Sequence, residues 1–181
     1  MRPVLAGSLT SRLAVLLWAL GVVCSAALVA DDAQRSTEWP RLLVTDPITL
    51  DAVHNTLEQA TKWLEDPRCR MLFSDFRDET DRPLVRTLAD LGISGERYLQ
   101  FVIFRDAGGS EYCEQNRPLA FTHRGSRIVF VCGRDFAKAW RQTPERATAA
   151  MIHEMLHTLG LGENPPSSLA ITGQVLKRCG R

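Results

Sequence analysis

The segment from Pro144 to Leu159, PERATAAMIHEMLHTL, constrains this chain more than any other, because its apolar and ionisable side chains make opposite demands. Thr143 can cap a helix, Pro144 suits its first position and Glu145 favours the positive end of its dipole. Ala147, Ala149, Met151, Ile152, Met155, Leu156 and Leu159 leave little polar surface, so the spacing predicts a strongly buried helix from about Pro144 to Leu159. Its last turns nevertheless carry His153, Glu154 and His157. Burying these groups together is costly unless they are paired, and a bound cation relieves that cost directly.

Side chains four apart on a helix lie one above the other, so His153 and His157 can present ring nitrogens to one zinc ion at about 2.0–2.1 Å. Glu154, offset by one residue, can reach a water polarised by the ion without becoming a ligand. A catalytic zinc takes three protein ligands and keeps a fourth position open. After His157 there is no histidine or aspartate, and Cys179 is expected in a disulfide, so elimination leaves Glu163 as the third ligand. A reversal at Gly160 in the left-handed conformation would swing residue 163 back toward the helix face.

The run His153-Glu154-x-x-His157-x-x-Gly160-x-x-Glu163 resembles the zincin metalloproteases. Among them it is similar to the metzincin pattern, with Glu163 in the place of the last histidine, and to the short bacterial snapalysin family, whose last ligand is also a carboxylate. The chain departs from the metzincins in that ligand and in having no methionine after Met155, so an evident Met-turn is lacking. The resemblance is firm from His153 to Glu163 and loose from Arg127 onward. It implies a zincin-like α+β fold, one Zn²⁺ per chain, and peptide-bond hydrolysis with Glu154 as general acid/base acting on a protein or peptide substrate. In zincins a strand near the catalytic helix takes up extended peptide, and Ser126–Cys132 is the candidate here. Tyr112 and His123 are candidate donors to the oxyanion. The alternative is a catalytically silent, disulfide-bonded binding or envelope protein on the same fold.

The chain's 181 residues suit one domain with a real core. Arg2 and Arg12, the apolar run LAVLLWALGVV and the small residues of CSAALVA have the layout of a secretory signal peptide over residues 1–30, leaving a domain at 31–181. An uncleaved anchor over residues 13–30 is the alternative. Cleavage implies a secreted or periplasmic protein without stable membrane association. Residues 1–30 hold two of the 22 basic side chains and none of the 21 acidic ones, so the remainder carries a formal charge of −1 and nucleic acid is a poor partner. Cys69, Cys113, Cys132 and Cys179 remain, an even set suited to two disulfides. Three connectivities are open; Cys113 with Cys132 across one hairpin, and Cys69 with Cys179, is the favoured one. Pro67-Arg68-Cys69 resembles three residues of the cysteine-switch peptide of latent matrix metalloproteases, but a half-cystine is the expectation.

Elsewhere, residues 31–47 read as an irregular lead-in. Leu50, Val53, Leu57, Ala60 and Leu64 predict a helix over 49–65, with His54 beside its apolar stripe. RPLVRTLADLG predicts a second helix ended by Gly92, and RYLQFVIFRD a strand. Gly108 and Gly109 mark a loop, LAFTH and RIVFVC a hairpin, and the three strands a mainly antiparallel sheet. Ser168 is expected to cap a last helix through Cys179.

Overall fold

The computed structural model describes residues 40–180. The leader expected at 1–30, and its alternative as an anchor at 13–30, lie outside them.

A short strand β1 (Arg41–Leu43) leads into helix α1 (Pro47–Glu65). Asp46 starts α1 by accepting hydrogen bonds from the Thr49 backbone N–H (2.8 Å) and hydroxyl (2.6 Å), and Pro47 occupies the first turn. The expected stripe is buried except for Leu50, which lies at the exposed edge, while Ala52, Thr56 and Trp63 join it. His54 is exposed on this helix, 3.9 Å from Glu58. Two single turns follow, α2 (Pro67–Arg70) and α3 (Leu72–Asp75), then α4 (Leu84–Leu91), which Gly92 ends at φ 66° as expected.

The run read as a strand from Arg97 divides in two. Gly95–Leu99 forms α5, burying Tyr98 and Leu99, and only Ile103–Asp106 is strand β2. α6 (Glu111–Asn116) occupies what read as loop after Gly109. β3 (Ala120–Thr122) and β4 (Ile128–Val131) form the expected hairpin. α7 (Gly133–Gln142), α8 (Pro144–Thr158) and α9 (Ser168–Cys179) complete the described chain. Ser167, not Ser168, caps α9, accepting from the Ala170 N–H at 3.3 Å. The Thr143 hydroxyl makes no cap to α8 and turns back to the Ala139 carbonyl.

The expectation of a mainly antiparallel sheet is corrected. The strand order is β1-β2-β4-β3; β1 with β2 and β2 with β4 are parallel, and only β3 with β4 is antiparallel. The hairpin partner of β4 is β3, but the other side of β4 is filled by β2, reached across the α6 excursion. β4 is therefore paired on both sides, so Ser126–Cys132 cannot receive a further strand. The free edge beside the hairpin belongs to β3. β1 escaped sequence reading because three residues carry no measurable alternation.

α8 lies in the core, packed against α1, α7, α9, β3 and β4. Met151, Ile152, Met155 and Leu156 are wholly buried, as the helix pattern demanded. α7 begins close to α1: a Cβ on Gly133 would meet the Thr49 hydroxyl at 2.8 Å. The two disulfides have the favoured pairing, Cys69–Cys179 and Cys113–Cys132. Cys69 is a buried half-cystine, which sets aside the resemblance to a cysteine switch. The first bridge fastens α9 to α2, and Arg178 reinforces it with two hydrogen bonds to Asp75, at 2.7 and 2.8 Å. That guanidinium holds the Asp75 carboxyl below its usual range. Among the described residues no helix is long and apolar enough to cross a membrane.

Cys69 and Cys179 are separated by 110 positions and Cys113 and Cys132 by 19. Chain-entropy reasoning assigns about 4.7 kcal/mol to a loop near 100 residues and about 3 kcal/mol to one near 15. Paired Cys→Ala variants are expected to lose stability in that order in denaturant titrations; equal losses would mean that loop closure is not what the long bridge contributes.

Candidate metal centre

The site begins with how α8 ends. Gly160 takes φ 109°, its N–H bonds the His157 carbonyl at 3.0 Å, and the Leu161 N–H reaches back to the Leu156 carbonyl at 3.1 Å. These are the two bonds of a Schellman motif, with buried Leu156 and Leu161 as its apolar contact. A side chain at 160 would be strained at that φ, and its Cβ would lie 3.2 Å from the Asp78 Cβ. The reversal turns the Leu161 carbonyl toward the helix, where it accepts from His157 Nδ1 at 2.8 Å. A carbonyl only accepts, so Nδ1 carries a proton, and in the neutral imidazole it is Nε2 that keeps the lone pair.

That Nε2 lies 2.9 Å from His153 Nε2, and His153 Nε2 lies 3.9 Å from Glu163 Oε1. Ligand atoms of the three residues all fall within 4.8 Å of one another. Nitrogens at about 2.0–2.1 Å from a tetrahedral ion stand about 3.3 Å apart, so small side-chain rotations bring this donor set to metal-binding geometry. The turn at Gly160 returns Glu163 to the imidazoles, the convergence that the sequence called for.

His153 and Glu154 are met by other elements. His153 Nδ1 pairs with the Thr172 hydroxyl of α9 at 2.9 Å. The Glu154 carboxylate accepts from the Thr122 N–H of β3. Leu161 forms a β-bridge with Asp78, whose carboxylate ties its own loop together by accepting from the Thr80 N–H, the Thr80 hydroxyl and the Arg82 N–H. On the β3–β4 turn, the Gly125 N–H bonds the His157 carbonyl at 2.9 Å.

His153, Glu154 and His157 are buried, whereas Glu163 is 40% exposed at the mouth. Burial first, and the neighbouring His157 second, push the His153 pKa down to about 4, so near neutrality it offers a lone pair and no charge. Burial first, and the charge of Glu163 second, raise Glu154 to about 8 against the opposing Thr122 hydrogen bond. Two carboxyls and two imidazoles thus face a space that favours a cation. They line an open cavity of about 290 Å³ together with Tyr112, Phe121, Thr122 and Arg124.

All four residues singled out from the motif therefore meet in one cavity. Of the two candidate oxyanion donors, Tyr112 lines it, carried by α6 with its ring 4.5 Å from that of Phe121. His123 is an exposed turn residue outside the lining. Thr172, Thr122 and Arg124 were not anticipated. Nothing local marks a threonine in a distant helix as the partner of His153, although the Gly160 signature did carry the position of the Leu161 carbonyl. No family model, curated protein or solved structure matches this chain.

Outer partners that orient a metal-binding imidazole contribute about 10- to 100-fold in affinity. Thr172→Val is expected to weaken binding of a divalent transition metal by that factor, read by competition with a chromogenic chelator. An unchanged affinity would show that the hydroxyl does not orient His153.

Proposed function

We propose that the chain is a secreted zinc metallopeptidase of zincin-like architecture, with His153, His157 and Glu163 as zinc ligands and Glu154 as general acid/base. The observation that carries this reading is the His157 side chain, whose proton is committed to the Leu161 carbonyl and whose free nitrogen faces His153 and Glu163 in an open cavity. Two nitrogens and one oxygen form a donor set that suits zinc, and three protein ligands leave a coordination place for chemistry. When bound, zinc lowers the pKa of water to about 7 and polarises a carbonyl.

The protein's own part follows from the geometry. Glu154 shares the cavity with the ligands, one residue from His153, and is held by the Thr122 N–H on the side of β3. A carboxyl whose proton affinity is raised toward neutrality can take a proton from the attacking water and return it to the leaving amine. The unpaired edge of β3 borders the cavity through Ala120, Phe121 and Thr122, which suits an extended peptide laid along it. This edge takes the role that the sequence had suggested for Ser126–Cys132. Tyr112 lines the same space, and its phenol is a side-chain donor available to the developing oxyanion. Export is supported by the leader pattern at 1–30 and by the two disulfides, which belong to an oxidising compartment.

Purified oxidised protein is expected to hold close to one zinc per chain by elemental analysis. Glu154→Gln should keep that zinc and lose about 10²- to 10⁴-fold in turnover of an unstructured protein substrate. Zinc without Glu154-dependent turnover would favour the silent binding protein. Glu163→Ala should lower zinc affinity by more than the about 10- to 100-fold expected of an outer partner; unchanged affinity would remove Glu163 from the ligand set.

A further inference from the structure

The cavity around the candidate metal centre contains one feature that the hydrolytic reading leaves unused. Among the described residues lining it, Arg124 is the only lysine or arginine. The other charged side chains there, Glu154 and Glu163, are assigned to proton transfer and to the metal, so Arg124 is the one fixed charge left to meet a substrate.

Its place is set by backbone bonds. Arg124 sits in the β3–β4 turn, where the Gly125 N–H bonds the His157 carbonyl at 2.9 Å and the Ser126 N–H bonds the His123 carbonyl at 2.9 Å. The turn is therefore tied to a residue of the metal cluster. Gly162 lies beside the guanidinium: a Cβ at that glycine would stand in ordinary van der Waals contact with Arg124 Nη1, at 3.6 Å. One hydrogen bond engages the group, from Nη1 to Glu79 Oε2 at 2.8 Å. Both partners are exposed, 48% and 69%, and an ion pair so open to water is weak and readily exchanged for another carboxylate. Nε and Nη2 have no other hydrogen bond among the described residues. A guanidinium with donors to spare recognises carboxylates through paired, charge-assisted hydrogen bonds.

We propose that Arg124 is a specificity-determining residue that binds a carboxylate carried by the substrate close to the scissile bond, either an Asp or Glu side chain or a free C-terminus. This deepens the peptidase reading and rests on it for the identity of the substrate as a peptide.

The test uses zinc-loaded full-length Glu154→Gln protein, so that binding is read without turnover, and fluorescent peptides scanned with Glu, Gln or Lys at each position, each made as the free acid and as the C-terminal amide. Binding by fluorescence anisotropy should favour one carboxylate peptide over its amide counterpart by about 10- to 100-fold. A Glu-over-Gln preference in amidated peptides identifies a side chain, and an acid-over-amide preference without a Glu effect identifies a free C-terminus. Adding Arg124→Gln should bring the ratio to about one, and adding Arg124→Glu should invert it in favour of a Lys peptide. Adding Glu79→Ala should preserve the preference, because it removes only the competing carboxylate. No peptide binding, no carboxylate preference, or its loss in Glu79→Ala as complete as in Arg124→Gln would overturn the proposal, the last by making Arg124 a loop clamp. The hydrolytic reading is judged separately: carboxylate-selective binding with no cleavage of the same peptides by wild-type protein would leave Arg124 a recognition residue and refute the peptidase.

Discussion

Water is withdrawn from two imidazoles and a carboxyl in the last turns of α8, and the surrounding structure answers that desolvation. An apolar helix cannot satisfy those groups from its own backbone, whose bonds are committed within the helix. His157 is therefore met by the carbonyl of Leu161, His153 by the hydroxyl of Thr172, and Glu154 by the N–H of Thr122. The partners come from the reversal after the helix, the C-terminal helix and the edge strand. Each of those elements must be docked before the buried groups are paired, which links the packing of the domain to the chemistry of one cluster.

The same desolvation sorts the protonation states. Burial suppresses the charged form of His153 and the charged form of Glu154, and Glu163, half open to solvent, adds repulsion to the latter. Without a positive charge between them, the two carboxyls oppose each other; a divalent cation attracts both and outweighs that repulsion. Two ring nitrogens and a carboxylate oxygen gather within 4.8 Å of one another beside a carboxyl of raised proton affinity. Electrostatics and hydrogen-bond geometry thus lead to the same reading by separate routes.

What the sequence disclosed was local or chemically unmistakable. The buried helix, the glycine reversal, the His-Glu-x-x-His spacing and the four cysteines each announce themselves within a few residues or by residue type. The short apolar runs that mark β3 and β4 as strands say nothing about the parallel partner on the far side of β4, which depends on how the α6 excursion closes. α7 is a short helix whose burial comes from α1 and α8, and α6 a shorter one fastened by the Cys113–Cys132 bridge and by Tyr112 against Phe121, with Gly108 and Gly109 marking only the loop before it. Thr172 and Arg124 are ordinary polar residues in their own segments. Only docking 19 residues away for the former, and the Gly125–His157 bond for the latter, brings them to the cluster.

Leu161 shows how little chain separates a remote surface loop from an imidazole. Its amide closes the helix, its carbonyl fixes the proton on His157, and the same residue is paired with Asp78. The loop from Arg77 to Pro83 is thus joined, through Asp78 and Leu161, to the peptide unit that accepts from His157. A change in that loop therefore reaches the peptide unit to which His157 donates without altering any residue that lines the cavity.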